Sequence, residues 1–351
     1  MRHAELGCCG REAAEPTHRL ESNQSLQLPD SADQRAHPAS DLSVTPTCGW
    51  ATLANQRLSD PHARPLASAL MELPCTRLTP ALGATARLPN EAGGISDEAA
   101  DLIHAALIEH SVLVFPRARL DPGRMVQLGQ ALGTLGARHH SYATHPDYDD
   151  VVVLTWGGDQ KPDAAEWHAD MTYRNPPPFA SILKAVEVPA VGGDTLWASM
   201  FAVHDALDPG LRRDLEQLEA VHDMGAFRTG AYRQSGHKGL EEALAQTGAA
   251  VHPVIARHPV TGRPYVNVSE SFTRFVIGLS APASARLLTY LFDLINRPDF
   301  HVRVKWEADT VVIWDNRGTQ HYAVADYLPH RRVMHRVAVT TDKRTPTASA
   351  V

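Results

Sequence analysis

Three clusters in this 351-residue chain have the residue types and spacing to do chemistry. The first is Trp167-His168-Ala169-Asp170. In an extended segment residues two apart point to the same side, so His168 and Asp170 would present an imidazole and a carboxylate to one point. The second lies 153 residues on, where Ile313-Trp314 passes into Asp315-Asn316-Arg317-Gly318-Thr319-Gln320-His321. Two histidines and one carboxylate on a β scaffold are the donors of a facial metal triad, which leaves three adjacent positions of an octahedral ion open. Read alone, the same residues also fit a satisfied core histidine at 321 and a turn or capping aspartate at 170.

The third cluster is Arg331-Arg332-Val333-Met334-His335-Arg336-Val337, which alternates charge and hydrophobe. Arg332, Met334 and Arg336 share one strand face, and Val333, His335, Val337 and Val339 share the other. Two arginines on one face of an apolar strand are costly without anionic partners. Their planar forks suit carboxylate and sulfonate oxygens. The cluster therefore asks for two anions, or for one anion and one structural carboxylate. An exposed edge strand with solvated arginines is the plainer alternative.

The elements that must position these groups are mixed. Asp97–His110 carries Leu102, Ile103, Ala106 and Leu107 on one helical stripe, with Ser96 as N-cap. Arg124–Leu135 reads as a second helix. Strands are expected at Ser111–Pro116, Val151–Thr155, Ala180–Val188, Asp194–Ala198, Val251–Arg257, His301–Trp306, Thr310–Trp314 and Arg332–Thr340. Further helices are expected at Met200–Ala206, Leu211–Ala220 and Ala283–Asn296. Many short strands outside strict β-α alternation fit a barrel or a double-sheet jelly roll better than a doubly wound sheet. The polar, Gly-rich stretch Gly225–Gly248 is long for a plain connection and reads as a lid.

Composition bounds the remaining possibilities. Residues 1–70 contain no Ile, Phe or Tyr and only one Val and one aromatic residue, Val44 and Trp50, so a disordered N-terminal extension is expected there. Residues 71–351 form the expected folded domain. A net charge of −7 gives no sequence-blind hold on nucleic acid or anionic lipid. No apolar run reaches the roughly 18 residues of a membrane span. Four cysteines without metal-knuckle spacing exclude a disulfide scaffold and favour a reducing, cytoplasmic setting.

At this point the residues carry a resemblance. The runs WHADMTYRNPPPFASILKAVEVPAVGGDTLWASM and IWDNRGTQHYAVADYLPHRRVMHRVAV resemble the taurine dioxygenase family. These are Fe(II)- and 2-oxoglutarate-dependent enzymes related to taurine and 2,4-dichlorophenoxyacetate dioxygenases. The likeness spans roughly residues 75–344, and its motifs (WHxD, GGDTLW, WDNRxTQH, RRxMHR) are collectively very specific.

The resemblance implies an α+β fold with a double-stranded β-helix (jelly roll) core and flanking helices. It implies Fe(II), 2-oxoglutarate and O2 as the working set, with His168, Asp170 and His321 as iron ligands. Thr195 and Arg332 would hold the far carboxylate of 2-oxoglutarate. Arg336 and His139 would hold the anionic head of the substrate, with Tyr142 and Phe272 in its pocket. The implied reaction hydroxylates the carbon beside that anion, most simply in taurine or another alkyl sulfonate, giving aldehyde, sulfite, succinate and CO2.

Ala164, the loop after His222-Asp223 and the segment Asn267–Phe272 depart from the taurine-specific pattern. An alkyl sulfate, an aryloxyalkanoate or a biosynthetic carboxylate therefore stays open as substrate. A catalytically silent binding protein is the non-enzyme alternative, and it fits poorly with a full set of site residues. A small anionic molecule is the expected partner, and relatives imply a homo-oligomer.

Overall fold

The computed structural model of the protein describes residues 72–89, 94–136, 142–224 and 248–345, all within the unit Ala67–Val351. The expected N-terminal extension, His139 and nearly all of the expected lid lie outside the described residues.

In chain order the first strands are β1 (Cys75–Arg77), β2 (Ala84–Ala86), β3 (Val112–Phe115), β4 (Gly133–Leu135), β5 (Ala143–His145) and β6 (Tyr148–Trp156). They are followed by β7 (Ala180–Glu187), β8 (Thr195–Ser199), β9 (Glu219–Asp223), β10 (Ala249–Pro253), β11 (Ile255–Arg257) and β12 (Pro264–Val266). The last are β13 (Thr273–Val276), β14 (His301–Val304), β15 (Val311–Asp315), β16 (Thr319–Ala323) and β17 (Arg332–Asp342). Among the described residues five α-helices interrupt them: α1 (Asp97–His110), α2 (Pro122–Leu132), α3 (Met200–Asp205), α4 (Pro209–Leu215) and α5 (Ala281–Ile295).

The major sheet runs β1-β2-β3-β15-β7-β17-β6-β5, with β4 also on β17. The minor sheet is β14-β8-β16, and β10-β9-β13 form a third. Alternation along the strands sorts side chains into layers. On β15, Val312 and Trp314 pack between the major and minor sheets with Trp197, Val302 and Met334. Val311 and Ile313 face the other way, onto Ile103 and Leu107 of α1 and Leu128 of α2. On β17, Met334 faces inward, whereas Val337 and Val339 face the helices. The outer side of the minor sheet is covered by α3 and α5 through Met200, Val203, Leu288 and Leu291. Two facing sheets with helices outside them are the expected jelly-roll architecture. Among the described residues no helix is long and apolar enough to cross a membrane.

Ser96 caps α1 as expected, its hydroxyl accepting the Ala99 N–H at 3.1 Å. Several boundaries differ from expectation; the strand expected over Val251–Arg257 is two, β10 and β11, which pair in different sheets, and two helix ends have a clear cause. The second helix begins at Pro122, capped by Asp121, and stops at Leu132 because Gly133 pairs with Asp342 of β17. A Cβ at Gly133 would lie only 1.7 Å from the Thr341 carbonyl oxygen, so that close approach requires glycine. The helix expected over Leu211–Ala220 ends at Leu215, and Ala220 lies buried on β9. There β9 pairs on both sides, with β10 and β13, and sheet pairing overrides the helical preference of the run.

Candidate active site

His168 and His321 are brought together by backbone pairing. Each donates its N–H to the other's carbonyl, at 3.1 and 2.8 Å, in an isolated antiparallel bridge. Their rings sit 4.0 Å apart. His321 stands on β16, where its pairing with Trp197 of β8 fixes its height in the inter-sheet space. Its ring stacks against Trp197 and lies 4.8 Å from Trp314. Burial, then the neighbouring His168, push its pKa down to about 3, so the imidazole is neutral with a lone pair to give. His168 Nδ1 lies 2.8 Å from the Glu166 carbonyl. A carbonyl only accepts, so Nδ1 carries a proton there and Nε2 is the ring nitrogen left to face the other two groups.

Asp170 is 4% exposed and is held at every polar atom. Ser181 Oγ on β7 donates to Oδ2 at 2.7 Å, and Arg336 Nη1 donates to Oδ1 at 3.0 Å. The Asn316 side chain accepts the Asp170 N–H and donates to the Asp170 carbonyl. This grip sits directly before Met171, whose φ of 50° lies in the left-handed region that non-glycine residues seldom adopt. Burial opposes the charged carboxylate, yet Arg336, His321, His168 and Ser181 together hold its pKa well below the usual range. The ligand atoms of His168, Asp170 and His321 all lie within 4.8 Å of one another. Two imidazoles and a carboxylate, buried and convergent, suit a divalent transition metal.

A second constellation opens onto the same cavity. Thr195, 2% exposed at the start of β8, accepts hydrogen bonds at Oγ1 from Trp306 Nε1 at 2.9 Å and from Arg332 Nη2 at 3.3 Å. With both lone pairs taken, the hydroxyl proton is available to an acceptor in the cavity. Arg332 is 4% exposed and its Nε has no partner among the described residues. Among the described residues no carboxylate lies within ion-pair distance of it. Burial lowers its pKa to about 10, so it stays cationic at neutral pH. A buried ion left alone costs several kcal/mol, so this arrangement suits an anion from the cavity. Gly192 and Gly193 (φ 79° and 73°) turn the chain before β8, and a Cβ at Gly193 would press on Tyr327 and on the Arg332 stem.

Of the other residues singled out in the sequence, Phe272 is buried with its ring 6.1 Å from that of His168. Tyr142 donates its hydroxyl to Asp163 Oδ2 at 2.9 Å, and both line the cavity. Arg336 lines it too, but in contact with Asp170. Trp167 belongs to the core under α5, its Nε1 bonded to Asn296.

Sequence reasoning did not find Ser181, Trp306 or Asp163. Asn316 stood inside a noted motif without a role. Asp163 is a half-buried carboxylate whose Oδ1 has no partner among the described residues, and burial raises its pKa.

Comparison with known proteins agrees with this geometry. Residues 75–338 match the family described as taurine catabolism dioxygenase TauD, TfdA family. An alkylsulfatase of Acinetobacter baylyi is 32% identical over 280 residues, covering 78% of this chain and 87% of that protein. An alpha-ketoglutarate-dependent sulfate ester dioxygenase of Pseudomonas putida is 33% identical over 245 residues, covering 68% and 80%. The crystal structure of a taurine dioxygenase from Burkholderia xenovorans superposes with a TM-score of 0.66 at 27% identity, covering 78% of this chain and 90% of that one. The chain belongs to the TauD/TfdA family, and it is an oxidoreductase, a dioxygenase that takes 2-oxoglutarate (alpha-ketoglutarate) as co-substrate.

Proposed function

We propose that the enzyme holds Fe(II) through His168, Asp170 and His321 and hydroxylates the carbon beside the anionic group of an alkyl sulfonate, taurine or a relative of it. The hydroxylated carbon then releases sulfite and becomes an aldehyde, while 2-oxoglutarate leaves as succinate and CO2. The observation that carries this reading is the pair of inward arginines on β17, both opening onto the cavity that the metal trio lines. Iron(II) bound there supplies the activation of O2, coupled to oxidative decarboxylation of 2-oxoglutarate.

The residues themselves do the orienting. Arg332 and the Thr195 hydroxyl hold the distal carboxylate of 2-oxoglutarate, and Trp306 aims that hydroxyl. Arg336 receives the substrate anion. Leu154, Trp156, Met171, Tyr173 and Phe272 give the cavity apolar walls that accept an alkyl chain and exclude water from it. Fixing the reacting carbon within this frame is the protein's contribution to rate.

An alkyl sulfate ester is the second reading. It is favoured by the names of the two sulfate-ester relatives and by the apolar walls, and the same hydroxylation would release sulfate in place of sulfite. The test is purified protein with Fe(II), 2-oxoglutarate and O2, offered taurine, 1-hexanesulfonate, hexyl sulfate or an aryloxyalkanoate. Succinate matched by sulfite from a sulfonate establishes the first reading. Sulfate from hexyl sulfate alone selects the second. Succinate release that no substrate accelerates counts against both.

A further inference from the structure

Asp170 has two carboxylate oxygens, and their partners differ in kind. Oδ2 is engaged by the neutral Ser181 hydroxyl at 2.7 Å. Oδ1, which lies 3.8 Å from His321 Nε2 on the side of the metal trio, is engaged by the Arg336 guanidinium at 3.0 Å. Arg336 therefore sits on the oxygen that a metal would use. The side chains are 11% and 6% exposed, so this is a buried ion pair. A buried carboxylate left without a cation is strongly unfavourable, and Arg336 removes that penalty while no metal is bound. A divalent ion arriving at the trio meets a like charge on its own ligand. The guanidinium must give up Oδ1 or remain beside a second cation, and either costs metal affinity.

We propose that Arg336 is a shared counter-cation: it neutralises Asp170 when the metal position is empty and passes to the substrate's anionic group once a metal takes Asp170. The inference rests on the reading of His168, Asp170 and His321 as metal ligands and of Arg336 as the holder of the substrate anion. Its consequence is positive coupling between the two sites. A metal frees Arg336 for the anion, an anion draws Arg336 away from the metal's ligand, and linkage makes the two effects equal. Arg332 has no such double role, because it touches no carboxylate of the trio and stands with Thr195.

The test is Mn(II) binding to the full-length apoprotein, read from the EPR signal of free Mn(II), so that no turnover is involved. Arg336→Gln is expected to bind Mn(II) about tenfold or more tightly than the wild type, because a competitor and a like charge are gone. Adding 1-hexanesulfonate is expected to tighten Mn(II) binding by the wild type and to leave Arg336→Gln unaffected. Mn(II) affinity unchanged or weakened in Arg336→Gln would overturn the counter-cation role, and no effect of hexanesulfonate on the wild type would overturn the transfer. Arg336→Met, neutral and of comparable length, serves if the glutamine variant does not fold, and the hexanesulfonate arm needs no substitution. His168→Ala separates the two levels of the argument. Mn(II) affinity equal to wild type in that variant sinks the metal reading itself, whereas lost affinity there with no Arg336 effect sinks only the coupling.

Discussion

Asn316 clamps Asp170 by its main chain from both sides. The Asp170 N–H donates to Asn316 Oδ1 at 2.7 Å, and Asn316 Nδ2 donates to the Asp170 carbonyl at 2.9 Å and to the Pro178 carbonyl at 3.1 Å. One amide thus ties the aspartate to the segment entering β7, where Ser181 holds its carboxylate. Outer partners of this kind typically set metal affinity by about 10–100-fold. Asn316→Ala and Ser181→Ala are each expected to weaken Co(II) binding by about that factor with the far-UV circular dichroism unchanged. Co(II) titration followed through the visible ligand-field bands measures it. Wild-type affinity in both variants would remove the positioning role.

Among the described residues Arg332 is a cation buried without a carboxylate, so the ligand-free protein bears its cost. Arg332→Met, apolar and of similar length, is expected to stabilise the ligand-free protein by roughly 1–4 kcal/mol. The same change should abolish the gain in melting temperature that 2-oxoglutarate gives the wild type in the presence of Mn(II). A methionine variant that melts lower than wild type, or that still responds to 2-oxoglutarate, contradicts the anion-site assignment.

His222 is fully buried between the hydroxyls of Thr172 and Thr273. Burial first, then His252 and Arg274, push its pKa from the ordinary 6.5 down to about 3. Between those values the unfolded chain takes up a proton that the folded one refuses. Stability therefore falls as the pH drops from 6.5 toward 3, by up to about 1.4 kcal/mol per pH unit for this one group. His222→Asn, which does not titrate, is expected to show a pH slope smaller by one proton across that window. Urea unfolding at pH 7, 6, 5 and 4 reads the slope, and identical slopes for the two proteins would count against it.

Gly318 turns the chain from β15 to β16 directly beneath Phe201, and a Cβ there would lie 2.3–2.4 Å from ring carbons. The ring cannot swing freely, since His258, Tyr265 and Arg263 surround it. Gly318→Ala is expected to cost about 1–3 kcal/mol. In a Phe201→Ala background that penalty should largely vanish. A double-mutant cycle by urea unfolding decides, and additive losses would mean that the ring is not the obstacle.

The candidate metal trio was legible because its signals are local. His168 and Asp170 sit two residues apart in one short segment, and His321 ends a motif that runs straight off an apolar strand. That Arg332, Met334 and Arg336 share one face followed from period two; that this face points inward is settled by the packing of Met334 between the sheets. What stayed hidden is set by long-range packing. Trp306 reaches Thr195 across 111 residues, and Ser181 reaches Asp170 only because β7 runs behind the site. The buried network that joins Arg317 to Asp315 and Asp342, and these to His258 and His104, draws on four separate stretches of chain. No spacing rule marks such groups in advance. Arg336 was expected to face an anion, and that face was readable, but its present partner Asp170 became visible only with coordinates.

Arg332 and Arg336 are carried by a single strand, four residues apart, and β17 shifts register against β7 between Val333 and Met334. The strand works as a ruler with two marks. Insertion or deletion of one residue between the marks would turn one arginine out toward the helix layer while leaving the other inside. An even change would keep both inside but alter their separation by about 7 Å, more than a hydrogen bond can span. A change of substrate on this scaffold is thereby steered away from β17 and its paired neighbour β6, toward lining residues carried by other segments, Met171, Tyr173 and Phe272, which can change without moving either mark.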